Sequence, residues 1–293
     1  MTPKLGRIGI WTGALDALDL PAARDAVAEL EAQGWGSLWF GEAYGREALS
    51  ATQLYLSASE RMVVGTGIAS IYARDAMAAA GAGRLLHAAY PDRFVLGFGV
   101  SHAPLVERMR GHSYGKPVAA MGDYLTALAA APHLAAGADA LPPVVVAALG
   151  PRMLEVSRDQ AQGAHPYLVT PEHTARARAT LGPDRLLVVE QSVVVEDDED
   201  TWRARAHWHL EIYTGLPNYR ASWSRLGYGD DDAVRGGSER LKSALVTRGL
   251  EATAARVQEH LDAGATTVVL QVLGTDVGDV PSEGWRRAAE ALL

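Results

Sequence analysis

A β-α-β unit over residues 62–102 constrains the fold of this chain more than any other feature. Met62–Gly67 is a short apolar run with β-branched residues that ends in glycine, and Phe94–Gly99 is a second such run. Between them, Asp75–Tyr90 is rich in Ala and Leu and has the length of a helix, and Pro91 breaks the chain after it. This order predicts two parallel strands joined by a helix. Ligands bind at the carboxyl ends of such strands, so the loops after both strands are candidate site loops.

The same alternation of strand and helix continues through the rest of the chain. The other predicted strands are Arg7–Thr12, Gly36–Phe40, Pro142–Leu149, Ala164–Thr170, Leu186–Val195 and Thr266–Val272. Eight strands separated by helices predict an α/β fold with a single (β/α)8 TIM-barrel domain over residues 1–293, and an open doubly wound sheet is the alternative. Between strands seven and eight, Gly215–Gly237 predicts an irregular insertion, with an exposed loop at its GYGDDDAVRGG stretch.

Composition excludes several classes of function. The chain of 293 residues has no cysteine, so it forms no disulfide, thiol nucleophile or thiolate metal site. The net charge of −8 argues against a nucleic-acid partner, and no apolar run is long enough to predict a membrane span. The N-terminal residues lack the apolar core of a signal peptide, so we expect a cytoplasmic protein. No His/Asp/Glu cluster has metal-ligand spacing, and we predict no metal site.

Four stretches, in this order along the chain, carry a resemblance to a known family. They read WFGEAYGREAL, VGTGIASIYARDAM, RLLHAAYPDRFVLGFGVSHA and ALGPRMLEVSRDQAQGAHPYLVTPEHT. Together they resemble the luciferase-like monooxygenase superfamily, and within it the branch that uses the deazaflavin coenzyme F420. The resemblance implies a bacterial-luciferase-like barrel, a homodimer and a small-molecule substrate.

The resemblance also implies where a cofactor binds. In relatives, the loop after strand three holds a non-prolyl cis peptide bond against the central ring of the flavin or deazaflavin, and here that bond is Gly67–Ile68. The loop after strand four contacts the ring edge, and the Gly-Pro-Arg-Met turn at the start of helix five cradles the phosphate, as amides at a helix start can. The expected cofactor contacts are Trp11, Glu42, Gly67, Ile68, Ala69, Gly99, Val100, Ser101, Gly150, Pro151, Arg152, Met153, His165 and Tyr167.

Two residues are candidates for proton transfer. Relatives frequently pair an acid with a histidine after strand two, but this chain has Glu42 followed by Ala43, which puts the usual donor in doubt. Glu42 becomes an acid or base if burial raises its pKa, and His102 titrates near neutral pH. His165 and Tyr167 lie two residues apart on strand six and point the same way, toward either the pocket or the helices.

These features predict an F420-dependent oxidoreductase that transfers a hydride between the deazaflavin and a small organic substrate, in either direction. The first alternative is an FMN-dependent monooxygenase on the same barrel. The second is a flavin- or deazaflavin-binding barrel without turnover, an idea to which Ala43 gives weight.

Overall fold

Eight parallel strands close into a barrel in the computed structural model, which describes residues 3–276 and 278–293. The strands are β1 Ile8–Trp11, β2 Ser37–Phe40, β3 Val63–Thr66, β4 Ala69–Ser70, β5 Phe94–Gly99, β6 Val144–Val146, β7 Gly163–Ala164, β8 Leu186–Val194, β9 Val246–Arg248 and β10 Thr267–Val272. The barrel order is β1-β2-β3-β5-β6-β7-β8-β10, and β10 pairs with both β8 and β1. The short strands β4 and β9 are not part of this closed order. This closure confirms the predicted barrel, and the open-sheet alternative is wrong.

Helices surround the barrel on the outside. They are α1 Leu20–Ala32, α2 Ala48–Ser57, α3 Ala76–Ala89, α4 Pro117–Ala130, α5 Pro151–Gln160, α6 Pro171–Leu181, α7 Glu199–Tyr213, α8 Pro217–Ser224, α9 Glu239–Leu245, α10 Leu250–Asp262 and α11 Ser282–Leu292. A carboxylate caps several of them: Asp19, Asp75 and Asp198 each accept a backbone N–H of the first turn. Among the described residues, every helix is too short or too polar to cross a membrane.

The barrel interior changes from apolar to polar along its axis. The lower interior is filled by Leu5, Trp39, Val63, Val95, Val145, Leu186, Val188 and Val269. Gly65 leaves room for the Trp39 indole, because a Cβ there would lie 2.5 Å from its ring. Side chains alternate along a strand, so Glu190 and Ser192 of β8 follow Val188 into the same interior, one layer nearer the carboxyl ends. This end carries buried polar groups, which need partners there.

Two predicted regions differ from the structure. Strand six was expected over Ala164–Thr170, but only Gly163–Ala164 are strand, since Pro166 has no N–H to donate and Leu168 takes a left-handed φ of +53°. Within the predicted insertion Gly215–Gly237, Pro217–Ser224 form the helix α8, so the expected irregularity is wrong there. Helix α9 and the short strand β9, which pairs with β8, follow the insertion. The stretch 227–237 is mostly exposed and has no helix or strand, as predicted.

Candidate functional site

The loop after β3 forms the floor of the barrel mouth. Its Gly67–Ile68 peptide bond is cis, as the resemblance predicts. The Ile68 side chain covers Gly99 at the end of β5, where a Cβ would lie 2.5 Å from it, and Trp11 Nε1 donates to the Gly67 carbonyl oxygen at 3.0 Å. Gly67, Ile68 and Val100 all keep partial exposure, so this floor is accessible from the mouth.

Glu42 fixes that floor from the side. Its carboxylate is 8% exposed and accepts hydrogen bonds from the Ala48 amide at 3.1 Å and the Ser70 amide at 2.8 Å. The Arg74 guanidinium forms an ion pair with the Glu42 carboxylate. The backbone amide of Glu42 donates to the Ile68 carbonyl oxygen at 2.9 Å. Proton transfer by Glu42 stays a prediction, and these contacts favour a role in holding the loop instead.

His165 lies beneath the floor, inside the barrel. Its Nδ1 is 2.8 Å from the Val188 carbonyl oxygen, and its ring centroid is 5.1 Å from that of Trp39. Its Nε2 has no hydrogen-bond partner and lies 2.7 Å from the position that a Cβ on Gly67 would occupy. Burial lowers the pKa of His165 to about 4, so the ring is neutral at pH 7. His165 is 1% exposed, so its expected contact with a cofactor stays a prediction.

The loop after β5 carries His102 beside the mouth. His102 is half-buried, its ring centroid lies 5.9 Å from that of Tyr219, and burial lowers its pKa. Ser101 has a left-handed φ of +54°, and its carbonyl oxygen accepts the Tyr114 hydroxyl at 3.1 Å. The neutral His102 ring is therefore suited to accept or orient a proton, and its catalytic role stays a prediction.

The start of α5 forms a second part of the site. Gly150 is the N-cap, no side chain caps the helix, and Pro151 is its first residue, as predicted. Arg152 is exposed beside it, whereas Met153 turns into the core with 8% exposure. Pro151 has no N–H and the Met153 amide donates to the Gly150 carbonyl oxygen at 3.1 Å, so it is the positive end of the helix dipole that attracts anions here.

Two arginines from distant segments lie beside this helix start, and together they form a candidate anion cradle. The Arg225 guanidinium lies 3.4 Å from the position of a Cβ on Gly150 and donates to the Leu149 carbonyl oxygen at 3.5 Å. Arg176 of α6 donates to the Arg225 carbonyl oxygen at 2.8 Å. Sequence reasoning missed Arg225, because the region after α7 carries no readable pattern and its placement depends on tertiary packing.

A cluster of phenols lies at the part of the mouth formed by the segments after β7 and β8. Tyr167 lies 5.3 Å from Trp11 between ring centroids and 5.4 Å from Tyr213, and Tyr213 lies 4.9 Å from Tyr219. Tyr167 thus faces the mouth, in agreement with the inward alternative. Sequence reasoning missed Tyr213, Tyr219 and the buried Glu190 below them, although an acid inside an apolar strand was a visible signal.

A separate cleft of about 860 Å³ lies outside the barrel, along β9 and the start of α10. Three of its charged residues are paired, since Arg248 forms ion pairs with Asp197 and with Glu199, each at 3.3 Å. The described residues contain no group of three His, Asp or Glu that could hold a metal ion. We therefore assign the candidate site to the barrel mouth, whose floor and cradle suit a flat ligand with an anionic tail.

Comparison with known proteins agrees with this class of site. The sequence model of the luciferase-like monooxygenase family matches residues 6–275. This chain belongs to that family and is therefore an enzyme of the luciferase-like oxidoreductases.

Among curated relatives, a Mycobacterium tuberculosis protein with the provisional name of a coenzyme F420-dependent oxidoreductase is 29% identical over 119 residues, 41% of this chain and 34% of that one. An uncharacterised Mycobacterium bovis protein is 31% identical over 111 residues, 38% of this chain and 32% of that one. The aligned segment thus spans about a third of the length of these relatives.

Solved structures share the fold over the whole chain. An F420-dependent secondary alcohol dehydrogenase in complex with an F420-acetone adduct superposes with a TM-score of 0.76 at 14% identity, covering 99% of this chain and 98% of that one. The F420-dependent tetrahydromethanopterin reductase of Methanopyrus kandleri gives 0.72 at 16%, covering 98% of both. The oxygenating constituent of the Pseudomonas putida 3,6-diketocamphane monooxygenase, in complex with FMN, gives 0.69 at 13%, covering 97% and 96%.

Proposed function

We propose that this chain is an F420-dependent oxidoreductase that transfers a hydride between the deazaflavin and a small organic substrate. The observation that carries the proposal is the uncapped start of α5, where Arg225 faces Gly150 at the same end of the barrel as the Gly67–Ile68 floor. A cofactor with a flat ring and an anionic tail needs both features. The provisional F420 name of one curated relative supports the choice of deazaflavin.

Each part of the site has a defined task in this function. The ring would lie against Gly67, Ile68 and Val100, and the phosphate at Gly150, Arg152 and Arg225. When bound, the deazaflavin supplies a hydride-carrying ring carbon, while the protein supplies orientation, electrostatics and protons. Glu42 holds the floor in place through the Ser70 amide and Arg74.

An FMN-dependent monooxygenase is the second candidate. It is favoured by the shared fold with the FMN-bound diketocamphane monooxygenase constituent. The two candidates differ in chemistry, because reduced flavin activates oxygen whereas the deazaflavin carries a hydride. The homodimer and the cytoplasmic location stay predictions of the sequence.

Equilibrium binding separates the two candidates. The purified chain is titrated with F420 and with FMN, and the fluorescence of each ring is followed. We expect saturable binding of F420, with FMN weaker by about tenfold or more, which corresponds to about 1.4 kcal/mol. Tight binding of FMN alone would reject the proposal in favour of the monooxygenase. Binding of F420 without hydride transfer to carbonyl, imine or alcohol probes would favour the barrel without turnover.

A further inference from the structure

A buried carboxyl is connected to the barrel mouth by hydrogen bonds. Glu190 of β8 is 1% exposed, and Ser192 Oγ donates to its Oε1 at 2.7 Å. Ser192 Oγ is also 3.1 Å from Nε2 of His209 on α7. The Tyr167 hydroxyl lies 3.5 Å from that same Nε2, and the Tyr213 hydroxyl donates to the Tyr167 hydroxyl at 3.2 Å.

Burial favours a protonated Glu190, whereas hydrogen bonds to its two carboxyl oxygens favour the carboxylate. The Leu168 amide donates to its Oε2 at 2.9 Å, and Leu168 reaches this position with a left-handed φ of +53°, which costs a non-glycine residue energy. Four titratable groups of the same cluster are neutral at pH 7: Tyr167, Tyr213, Tyr219 and His209. Burial raises the pKa of Glu190 to about 7, against which the Ser192 and Leu168 hydrogen bonds act.

Tyr213 is the last member of this chain of hydrogen-bonded groups. It and Tyr167 both keep partial exposure at the mouth, whereas Glu190, Ser192 and His209 are buried. Burial raises the pKa of Tyr213 to about 12, with smaller contributions from Glu190 and from Tyr44 on the loop after β2. The phenol therefore holds its proton at pH 7 until a stronger base, such as a forming alkoxide, approaches it.

We propose that Tyr213 exchanges a proton with the substrate oxygen, and that Tyr167, His209 and Ser192 connect it to Glu190, which stores that proton. The inference rests on the proposed function for the identity of the hydride donor, but the proton path does not depend on it. It also provides a donor in a chain whose residue after Glu42 is Ala43.

The proton movement balances in both directions. If a substrate carbonyl carbon were to accept a hydride from a bound reduced deazaflavin, the C=O π bond would break and the oxygen would take the Tyr213 hydroxyl proton. Tyr213 then takes the proton of the Tyr167 hydroxyl. To donate it, that hydroxyl turns away from Gln271 Oε1, which it contacts at 2.6 Å in the structure. The Tyr167 proton is replaced by one from His209 Nε2, which has taken it from Ser192 Oγ, while Ser192 Oγ takes the proton of the Glu190 carboxyl. Glu190 is left as the carboxylate and regains a proton from solvent at the mouth by the same path. Alcohol oxidation reverses every transfer and leaves Glu190 protonated.

The test follows the Glu190 carboxyl in the ligand-free protein. Infrared difference spectra should contain a buried carboxyl C=O band that is lost as pH rises through about 7 and is missing in Glu190→Gln. After a pH jump from 5 to 9, we expect this band to decay about tenfold or more slowly in Tyr213→Phe than in wild type. Tyr55→Phe, which removes a buried phenol of α2 outside this path, should decay at the wild-type rate.

The outcomes separate this inference from the proposed function. A missing Glu190 band, or equal decay rates in wild type and Tyr213→Phe, would overturn the proton path whichever cofactor binds. With reduced F420 and acetone as a probe ketone, Tyr213→Phe should lower kcat about a hundredfold while the Kd for F420 stays within about twofold. Normal kcat in Tyr213→Phe would also overturn it, whereas failure of wild type to bind F420 rejects only the proposed hydride donor.

Discussion

Trp11 and Gly67 are joined by a hydrogen bond from the indole Nε1 to the carbonyl oxygen, at 3.0 Å. The bond ties the end of β1 to the loop after β3, so the floor of the mouth is fixed to two strands. A Cβ on Gly67 would lie 2.7 Å from the same Nε1, so only glycine fits below the indole. The floor is thus a rigid surface, as a preorganised ligand site requires.

Trp11→Phe tests the contribution of this bond. The substitution removes the donor and leaves the Gly67 carbonyl oxygen without it, and we expect a loss of about 1 kcal/mol in the free energy of unfolding. Urea denaturation measures it. Trp208→Phe, at a 36% exposed position on α7, is the matched control and should change the value by less than about 0.5 kcal/mol. Equal effects of both substitutions would contradict a stabilising hydrogen bond between Trp11 and Gly67.

Arg225→Ala tests the anion cradle. If Arg225 binds the cofactor phosphate, its removal should weaken F420 binding about tenfold or more, as expected for a charge-assisted hydrogen bond. Arg158→Ala, at an exposed position near the end of the same α5, should leave the Kd unchanged. An unchanged Kd in Arg225→Ala would place the phosphate elsewhere.

Acid should destabilise the fold through its buried histidines. Burial lowers the pKa of His165 and His209 to about 4 and that of His260 to about 3, from 6.5. Below pH 6.5 the unfolded chain binds protons that the folded chain does not. Each histidine should therefore reduce the free energy of unfolding by up to about 1.4 kcal/mol per pH unit as pH falls toward its folded pKa. Urea denaturation at pH 7.5, 6, 5 and 4 measures the slope, and a flat profile would contradict the burial of these rings.

Glu190 should show the opposite sign. Burial raises its pKa to about 7, from 4.5, so between these values the unfolded chain has lost a proton that the folded chain keeps. Its contribution to stability is present in full below about pH 4.5 and is lost as pH rises through about 7. As pH rises through this window, the free energy of unfolding of Glu190→Gln should therefore increase relative to that of wild type, by up to about 1.4 kcal/mol per pH unit. Glu155→Gln, at an exposed position, should show no such change, and parallel profiles for both would refute a protonated Glu190.

Two glycines, one in a strand and one in a helix, should respond oppositely to alanine. Gly65→Ala places a Cβ 2.5 Å from the Trp39 ring in the barrel core, and we expect a loss of about 1–3 kcal/mol. Gly81→Ala, in the middle of α3 with no atom within 4 Å of the new Cβ, should stabilise the helix by about 0.5–1 kcal/mol. Thermal or urea unfolding of both variants measures these changes. An unchanged free energy of unfolding in Gly65→Ala would contradict the packing of Trp39 against Gly65.

The sequence was informative wherever local pattern decides structure. Strand Phe94–Gly99 and helix Ala76–Ala89 lie where the apolar run and the Ala- and Leu-rich run before Pro91 predicted them. The Gly67–Ile68 bond and the α5 turn followed from the family resemblance. Strand six failed because Pro166 and the left-handed Leu168 end its pairing early, and neither effect has a periodic signature.

The polar half of the site was harder to predict because it is assembled from distant segments. Glu190, His209 and Tyr213 come from β8 and α7, and Gln271 from β10; only closure of the barrel brings them together. The LLVVEQSVV run offered one signal, since alternation places Glu190 and Ser192 on the same side of a buried strand. Arg225 gave no such signal, because α8 is defined by the packing of Tyr219 and Trp223 rather than by a repeating pattern.

A crystal structure of the chain with F420 tests the central claim most directly. We expect electron density for the deazaflavin ring against Gly67 and Ile68, with the phosphate at Gly150 within hydrogen-bond distance of Arg225. A ring at the opposite end of the barrel, or a phosphate bound away from the start of α5, would contradict the proposed site.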